Sequence, residues 1–562
     1  MLAGCGGEGL PSSSGLALED SSSSSSGSSS NTSGPFTHPI SREPDAPLVS
    51  LHSDEDRIHY SLYSERGATS ARNIVPDFSH AGYRGGGIGL PGRESIPVRK
   101  TLAPATEGDD APRIQAAIDA VSRLGADSRG LRGVVLLKRG HYRLDNTLVI
   151  RVGGVVLRGE GRDAQGTVLR STVRGKQGRI IEVGGYEPRM PHSATDARRT
   201  AITTPYVPVG AMRIGVASAA GYAVEDPIAI AREPNQAWLG PQGVDTARYR
   251  WKVADYTMVY ERVVKEVDGN TLTLNAPIVD AIDARFGGGS VYRTDVARIA
   301  EVGIEDLRLE GDPDTSIDNG TPDTGPFIAI SFGGVRDSWV RNVTVRFVSH
   351  GFTTRSGAHF NTFEDIAYLD PRFGETEGAR RYVFLYEGNS AFNLTQRCFN
   401  RGGRHTFVVG AQVPGPNVFL DCVAVDDSND SGPHHRWSTG ILYDNTKGYM
   451  LRAQNRRGSG SGHGWAGAQQ MFWNTEHEVY VVHAPPFAMN WSVGQRGTVA
   501  SGKFPPEEPA GIIESAGKVV MPRSLYLQQL RDRLGEQAVL DVTIAAQREG
   551  RIWDTLSTKA GQ

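Results

Sequence analysis

Four short segments place a basic residue at or just before the start of a strand-like run: Arg380-Arg381-Tyr382-Val383-Phe384, Arg404-His405-Thr406-Phe407-Val408, His434-His435-Arg436-Trp437-Ser438-Thr439-Gly440 and Gly462-His463-Gly464-Trp465-Ala466-Gly467. From Arg381 the steps to His405, Arg436 and His463 are 24, 31 and 27 residues. Steps of that size fit one turn of a coiled, repeating fold, which would stack these side chains in a column with neighbours about 5 Å apart. Stacked cations repel and serve no core, so their simplest use is to meet a run of anions, such as the uronate carboxylates of an acidic polysaccharide. Histidines among them point to proton transfer, since Arg and Trp would suffice for binding.

The chemistry suited to such a set is β-elimination. A cation neutralises the uronate carboxylate, a base removes the proton on ring carbon 5, and an acid protonates the leaving glycosidic oxygen. On this reading His435 or His405 is the base, Arg436 and Arg404 clamp the carboxylate, and His463 or Tyr443 gives the proton. Arg381, His434 and Lys447 are further substrate contacts. Trp437 and Trp465 offer faces for sugar rings, with burial in the groove floor as the equal alternative. Glycines around His463, from Gly458 to Gly464, would let a ligand approach the backbone. A hydrolase on the same scaffold needs a carboxylate pair, for which Asp426-Asp427 is the candidate, although adjacent strand residues face opposite sides. A surface protein that binds glycans without cleaving them is the third reading. No cofactor is required; calcium is an option at Asp426, Asp427 and Asp430.

Positioning such a column takes a repeating β fold. Gly133-Val134-Val135-Leu136-Leu137, Leu148-Val149-Ile150, Val155-Val156-Leu157 and Thr167-Val168-Leu169 are short β runs broken by Gly turns, preceded by an amphipathic stripe at Ile114, Ala117, Ile118 and Val121 that predicts a short helix. One kind of strand recurs at Val340-Arg341-Asn342-Val343, Phe360-Asn361-Thr362-Phe363, Phe392-Asn393-Leu394 and Pro416-Asn417-Val418-Phe419. Cys398 and Cys422 fall one turn apart, close enough to bond in principle, with stacked core thiols as the simpler arrangement. Residues 200–295 break the rhythm and contain two alternating strands around Asp268-Gly269-Asn270, which predicts an inserted β subdomain. Leu525, Leu527, Leu530, Leu534 and Val539 predict a C-terminal helix covering the last coil. The expected division is a tail to 45, first coils over 46–199, the insert over 200–295, catalytic coils over 296–515 and a helical cap over 516–562.

The opening elements, with Gly108-Asp109-Asp110 before the helix, Gly140-His141-Tyr142 and Leu157-Arg158-Gly159-Glu160-Gly161, resemble the pectate-lyase superfamily. The segments Gly432-Pro433-His434-His435-Arg436-Trp437 and Gly462-His463-Gly464-Trp465-Ala466-Gly467 are similar to those of one bacterial subset of it. The resemblance implies an all-β, right-handed parallel β-helix with a helix cap, and membership of a carbohydrate-active superfamily with its site in this region.

Composition agrees with turn-rich β structure: 68 of 562 residues are Gly and only 38% are apolar. No apolar run approaches a membrane span, which excludes helical channels and transporters. A formal charge of −3 from 60 basic and 63 acidic residues argues against bulk nucleic-acid binding. Leu2-Ala3-Gly4-Cys5 has the form of a bacterial lipoprotein cleavage site, and the Ser- and Gly-rich stretch from Ser12 to Gly34 suits a solvated tether. Membrane contact is therefore expected only through a lipid at Cys5, and location at the cell envelope or outside the cell.

Overall fold

A computed structural model of the chain describes residues 40–41, 46–52, 56–68, 71–185, 199–244, 249–312, 326–372 and 380–560; the Cys5 site and its Ser-rich sequel lie outside them. The short β runs wind into a right-handed parallel β-helix with three faces. One ladder of parallel strands starts with Val98–Leu102 and Gly133–Leu137 and ends with Trp491–Val493 and Ile512–Glu514. A second climbs from Gly140–Leu144 through Phe399–Arg401 to Arg496–Val499. The third runs from Leu148–Ile150 through Tyr382–Tyr386 and His405–Val409 to Asp430–Pro433.

Like residues stack on like inside the coils. Phe384 stacks over Phe407, and Phe419 lies between Tyr386 and Tyr443, with ring centroids 4.9 and 5.3 Å away. The recurring Asn residues form a buried polar rung: Asn361 Nδ2 donates to Asn393 Oδ1 at 2.9 Å, and Asn393 Nδ2 to Asn417 Oδ1 at 3.0 Å. Each carboxamide oxygen also accepts the backbone N–H of the residue one coil below, from Asn361 to Asn393 at 3.2 Å and from Asn393 to Asn417 at 3.0 Å. Asn342, the first expected member of the repeat, is not in this rung; Ser338 holds the place, its N–H donating to Asn361 Oδ1. Cys398 and Cys422 are buried free thiols one coil apart, with the Cys398 N–H 3.4 Å from Cys422 Sγ.

The helix Ala111–Ser122 buries Ala111, Ile114, Ala117, Ile118 and Val121 over the first coils, closing that end of the core. Between Gly175–Gly184 and Gly303–Gly311 the chain leaves the coils and builds a six-stranded antiparallel sheet from Thr200 to Arg293. Its hairpin pairs Asp268 with Thr271 across the expected turn, where Gly269 has φ of 55°. The C-terminal segment differs from expectation. It forms four helices, Leu525–Leu534, Glu536–Val542, Ala545–Glu549 and Trp553–Ala560, laid along the side of the solenoid instead of over its last coil. Ser524 and the Tyr526 N–H bond to Asp444, Gln547 bonds to Arg397 and Asp421, and Lys559 reaches Arg162. The described residues of the segment 46–96 lie beside them, with Gln529 binding Tyr60 and Tyr526 binding the Ala81 carbonyl. The apolar stripe of Leu525, Leu527 and Leu530 therefore finds its partner in the N-terminal segment and in the coil strand Ser438–Asp444.

The Asn rung gives a direct stability test. Asn393→Ala would strip partners from two buried neighbours, and about 2–3 kcal/mol of unfolding free energy should be lost. Urea titration measures it.

Candidate functional site

The basic segments lie on successive coils, but Arg381, His405 and Arg436 do not share one register. Tyr382, not Arg381, pairs in register with His405. Arg381 precedes the strand in a left-handed turn with φ of 53°, its carbonyl accepting both the Arg404 and His405 N–H groups. The column that forms is a column of rings. Tyr382 and His405 have centroids 4.8 Å apart, His405 and His434 4.7 Å, His434 and His463 5.2 Å, and His463 and His435 5.0 Å. Tyr382 Oη lies 3.2 Å from His434 Nε2.

Behind the rings sits a buried ion pair. Arg456 Nη1 donates to Asp430 Oδ2 at 2.8 Å, and His405 Nδ1 lies 2.6 Å from the Asp430 carbonyl oxygen and 3.3 Å from its Oδ1. That contact calls for a proton on His405 Nδ1, while Nε2 is fully buried and without a partner. Burial works against the Asp430 carboxylate, but Arg456 and then His405 hold its pKa well below the usual carboxylate range. The same guanidinium works with burial on the imidazoles. His434 is held well below its ordinary value by burial and Arg456. His463 falls to about 4 through burial, Arg456 and Arg436, and His435 to about 3 through burial, His463, Arg436 and Arg456. Near neutral pH these three rings are uncharged.

His435 and Arg436 open onto a cleft of about 530 Å³ between the coils and the insert. Ala254 to Val259 of the insert, including Asp255, form one wall; Arg355, Glu387 and Gln412 come from successive coil turns on the other. Burial raises the pKa of Glu387 against the pull of Arg355. Gln412 Nε2 bonds to the Asp255 carbonyl across the cleft.

The other expected site residues go elsewhere. Arg404 is half-buried, and its charge acts on the Tyr382 hydroxyl. Arg381 turns to the Gly402 carbonyl. Tyr443 is no proton donor, because it is fully buried in the coil core between Phe419 and Phe472. Trp437 and Trp465 are not sugar platforms: both are buried in the core of the insert, where Trp437 Nε1 donates to Asp280 and Trp465 Nε1 to the Gln242 carbonyl. Lys447 belongs to another face, paired with Glu476 and lying over Trp553. The glycines near His463 make room for protein instead of ligand, since a Cβ on Gly462 would stand 2.2 Å from the Tyr249 carbonyl oxygen. Asp426 is exposed, and Asp427 is bonded to Asn400 and Thr406, so the pair does not reach the cleft. Among the described residues no group of three or more His, Cys, Asp or Glu is arranged to hold a metal ion.

Several members of the site escaped the sequence reading. Tyr382 follows Arg381 directly and needed only the register. Arg456 stands in an Arg-Arg pair just before the Gly-rich loop, and Asp430 enters the sequence reading only as an option for calcium. Nothing local marks Glu387, Arg355 or Asp255.

Neither the known protein families nor the characterised protein sequences contain a match to the chain. Solved structures do resemble it in shape. They include the tailspike protein gp49 from Pseudomonas phage LKA1, with 13% identity over 73% of this chain and 70% of that one and a TM-score of 0.43. The polygalacturonase from Erwinia carotovora ssp. carotovora has 9% identity over 76% and 98%, with a TM-score of 0.37. DFA-IIIase from Arthrobacter chlorophenolicus A6 has 9% identity over 74% and 93%, with a TM-score of 0.32. Such distant likeness transfers no activity or substrate.

The depressed imidazoles make a stability prediction with a definite sign. The unfolded chain binds protons at these histidines below about pH 6.5, while folded His463 and His435 stay neutral down to about 4 and 3. Stability is therefore full above the unfolded value and is lost as pH falls toward the folded ones. Melting temperature should fall from pH 6.5 to 4, and less steeply in His463→Gln.

Proposed function

We propose that the protein is a lyase that cleaves an acidic, uronate-containing polysaccharide by β-elimination in the cleft between insert and coils. The observation that supports this most is that one cleft holds an imidazole kept neutral, a carboxyl whose pKa burial raises and two guanidiniums: His435, Glu387, Arg355 and Arg436. Opposed shifts of this kind divide base from acid.

In this reading Arg436 and Arg355 bind the substrate carboxylate and stabilise the charge that builds on it as carbon 5 is deprotonated. His435 takes the carbon 5 proton. The electron pair forms the double bond between carbons 4 and 5, and the bond from carbon 4 to the glycosidic oxygen breaks. Glu387 gives its proton to that oxygen. Asp255, exposed on the facing wall, favours a second reading, in which Glu387 and Asp255 act as a hydrolytic pair across the cleft. A polymer substrate fits an open cleft better than a closed pocket, and it goes with a place at the envelope or outside the cell. No helix among the described residues is long and apolar enough to cross a membrane.

The test is incubation with a panel of uronate polymers while unsaturated product, by ultraviolet absorbance, and new reducing ends are followed together. Both should rise in step; reducing ends without absorbance mean hydrolysis. Glu387→Gln should lower turnover by about 10²–10⁴ with binding nearly intact, whereas Arg436→Ala should weaken both. If Asp255→Asn abolishes cleavage and His435→Gln leaves it, the hydrolytic pair takes the place of elimination.

A further inference from the structure

The insert strand Met258–Asp268 borders a second cleft as well as the one that holds His435. Val259 lines the first; Glu261 and Val263, alternate residues further along the strand, line the second. A polar wall stands between them. Arg298 grips Glu261 and the Gly357 carbonyl, and His359 Nε2 lies 2.6 Å from the carbonyl oxygen of Asn389, which lines the first cleft. The second cleft has a volume of about 460 Å³ and gathers three parts of the chain: Arg84 from the N-terminal segment, Asn275 and Thr294 from the insert, and Arg336 and Phe360 from coil corners.

Its cations are already engaged. Arg84 is bound to Glu301 at 2.8 Å, Arg298 to Glu261 at 2.9 Å and Arg336 to Asp337 at 2.6 Å, while the buried Arg262 donates to the carbonyls of Ala276, Glu261 and Pro277. A further anion would have to displace a carboxylate already in place or sit against it. A hydroxyl meets no such conflict, because a guanidinium and a carboxylate in contact each keep hydrogen-bonding positions the other does not use. The remaining groups offer the same mixture of donor and acceptor beside an apolar surface. Asn275 Oδ1 accepts the Val263 N–H at 2.7 Å, which leaves Nδ2 as its donor. The half-buried Phe360 ring lies flat against Phe392, with centroids 4.5 Å apart. Thr294, 7% exposed, borders the cleft with a buried hydroxyl that has no partner among the described residues. An orphaned hydroxyl costs stability in the empty protein, and a turn about the Cα–Cβ bond would exchange it with the methyl group and bring it to a ligand.

We propose that this second cleft is a binding site for an uncharged sugar residue, whose hydroxyls meet Asn275, Thr294 and the paired ions Glu261 and Arg336 and whose apolar ring face meets Phe360. The inference goes beyond the reaction proposed for the first cleft and does not depend on it.

Titration with a panel of neutral trisaccharides built from glucose, galactose, mannose and N-acetylhexosamines tests it, with saturation transfer from protein to sugar protons and calorimetry as readouts. At least one should bind with a Kd of about 1 mM or tighter. Thr294→Val should weaken binding about three- to tenfold while leaving the melting temperature unchanged or raised, since it removes an orphaned hydroxyl at constant shape. Phe360→Leu, which keeps the apolar volume and loses the flat ring, should weaken it about threefold or more. Absence of binding across the panel overturns the proposal, and so does an affinity unchanged in both variants. Displacement of the neutral sugar by an equal concentration of oligogalacturonate would put it in the first cleft and overturn the proposal too. Neutral-sugar binding as expected, with no uronate polymer cleaved, would overturn the lyase reading and leave this one standing.

Discussion

The seating of the insert against the coils is the contact on which the cleft depends. A parallel β-helix alone offers a flat, repetitive flank; the concave wall from Ala254 to Val259 exists because the insert is locked down on both sides of it. On one side Trp437 packs edge-on against Trp238 with centroids 5.0 Å apart, and its Nε1 reaches Asp280 at 3.1 Å. Trp251 Nε1 donates to the Gly462 carbonyl at 2.8 Å, tying the insert to the loop that carries His463. On the other side Arg298 grips Glu261 and the Gly357 carbonyl. Two tryptophans that could have served the ligand serve instead to build the site, since a buried indole contributes large apolar area and one directed hydrogen bond.

A second constraint is electrostatic. Imidazoles in contact cannot all be charged, and burial beside Arg456 holds the pKa of His434, His435 and His463 below the ordinary value. Asp430 makes that tolerable, because an unpaired buried guanidinium would be far more costly than a paired one. Asp430 also orders His405, whose Nδ1 meets its carbonyl oxygen at 2.6 Å. The cluster is thus organised from its dry end toward the cleft, and the ring that lines the cleft, His435, is the last of the series.

Much of this was legible in the sequence. The helix over the first coil, the break near residue 200, the hairpin at Gly269 and the repeat of about one coil between basic segments all depend on local signals: apolar periodicity, a turn dipeptide and recurrence. The region of the site was legible for the same reason. The partners were not. Whether Trp437 faces a sugar or Asp280 depends on a residue 157 positions away, and whether Asp430 is solvated depends on Arg456 closing over it. No spacing rule carries such information, because the insert is free in sequence terms to land anywhere along the coils.

The displaced column shows a subtler limit. Sequence spacing gives the period of a solenoid, but its phase is set by where each turn leaves the strand, and a slip of one residue sends a side chain in another direction. Turns were read from glycines, yet the coil corners here are repeatedly made by residues with side chains in the left-handed region. Arg381, Arg436 and Trp437 have φ of 53°, 57° and 59°, and Asn342, Phe360, Phe392 and Asn445 do the same at other corners. Such conformations are uncommon outside Gly, Asn and Asp, and they persist where the stacked coils above and below hold them. Arg381 and Arg436, expected at strand starts, are therefore turn residues; the strand beside Arg381 begins at Tyr382, and the one beyond Arg436 only at Ser438. A solenoid that turns on non-glycine corners thus hides its strand starts from a reading that takes turns from glycines alone.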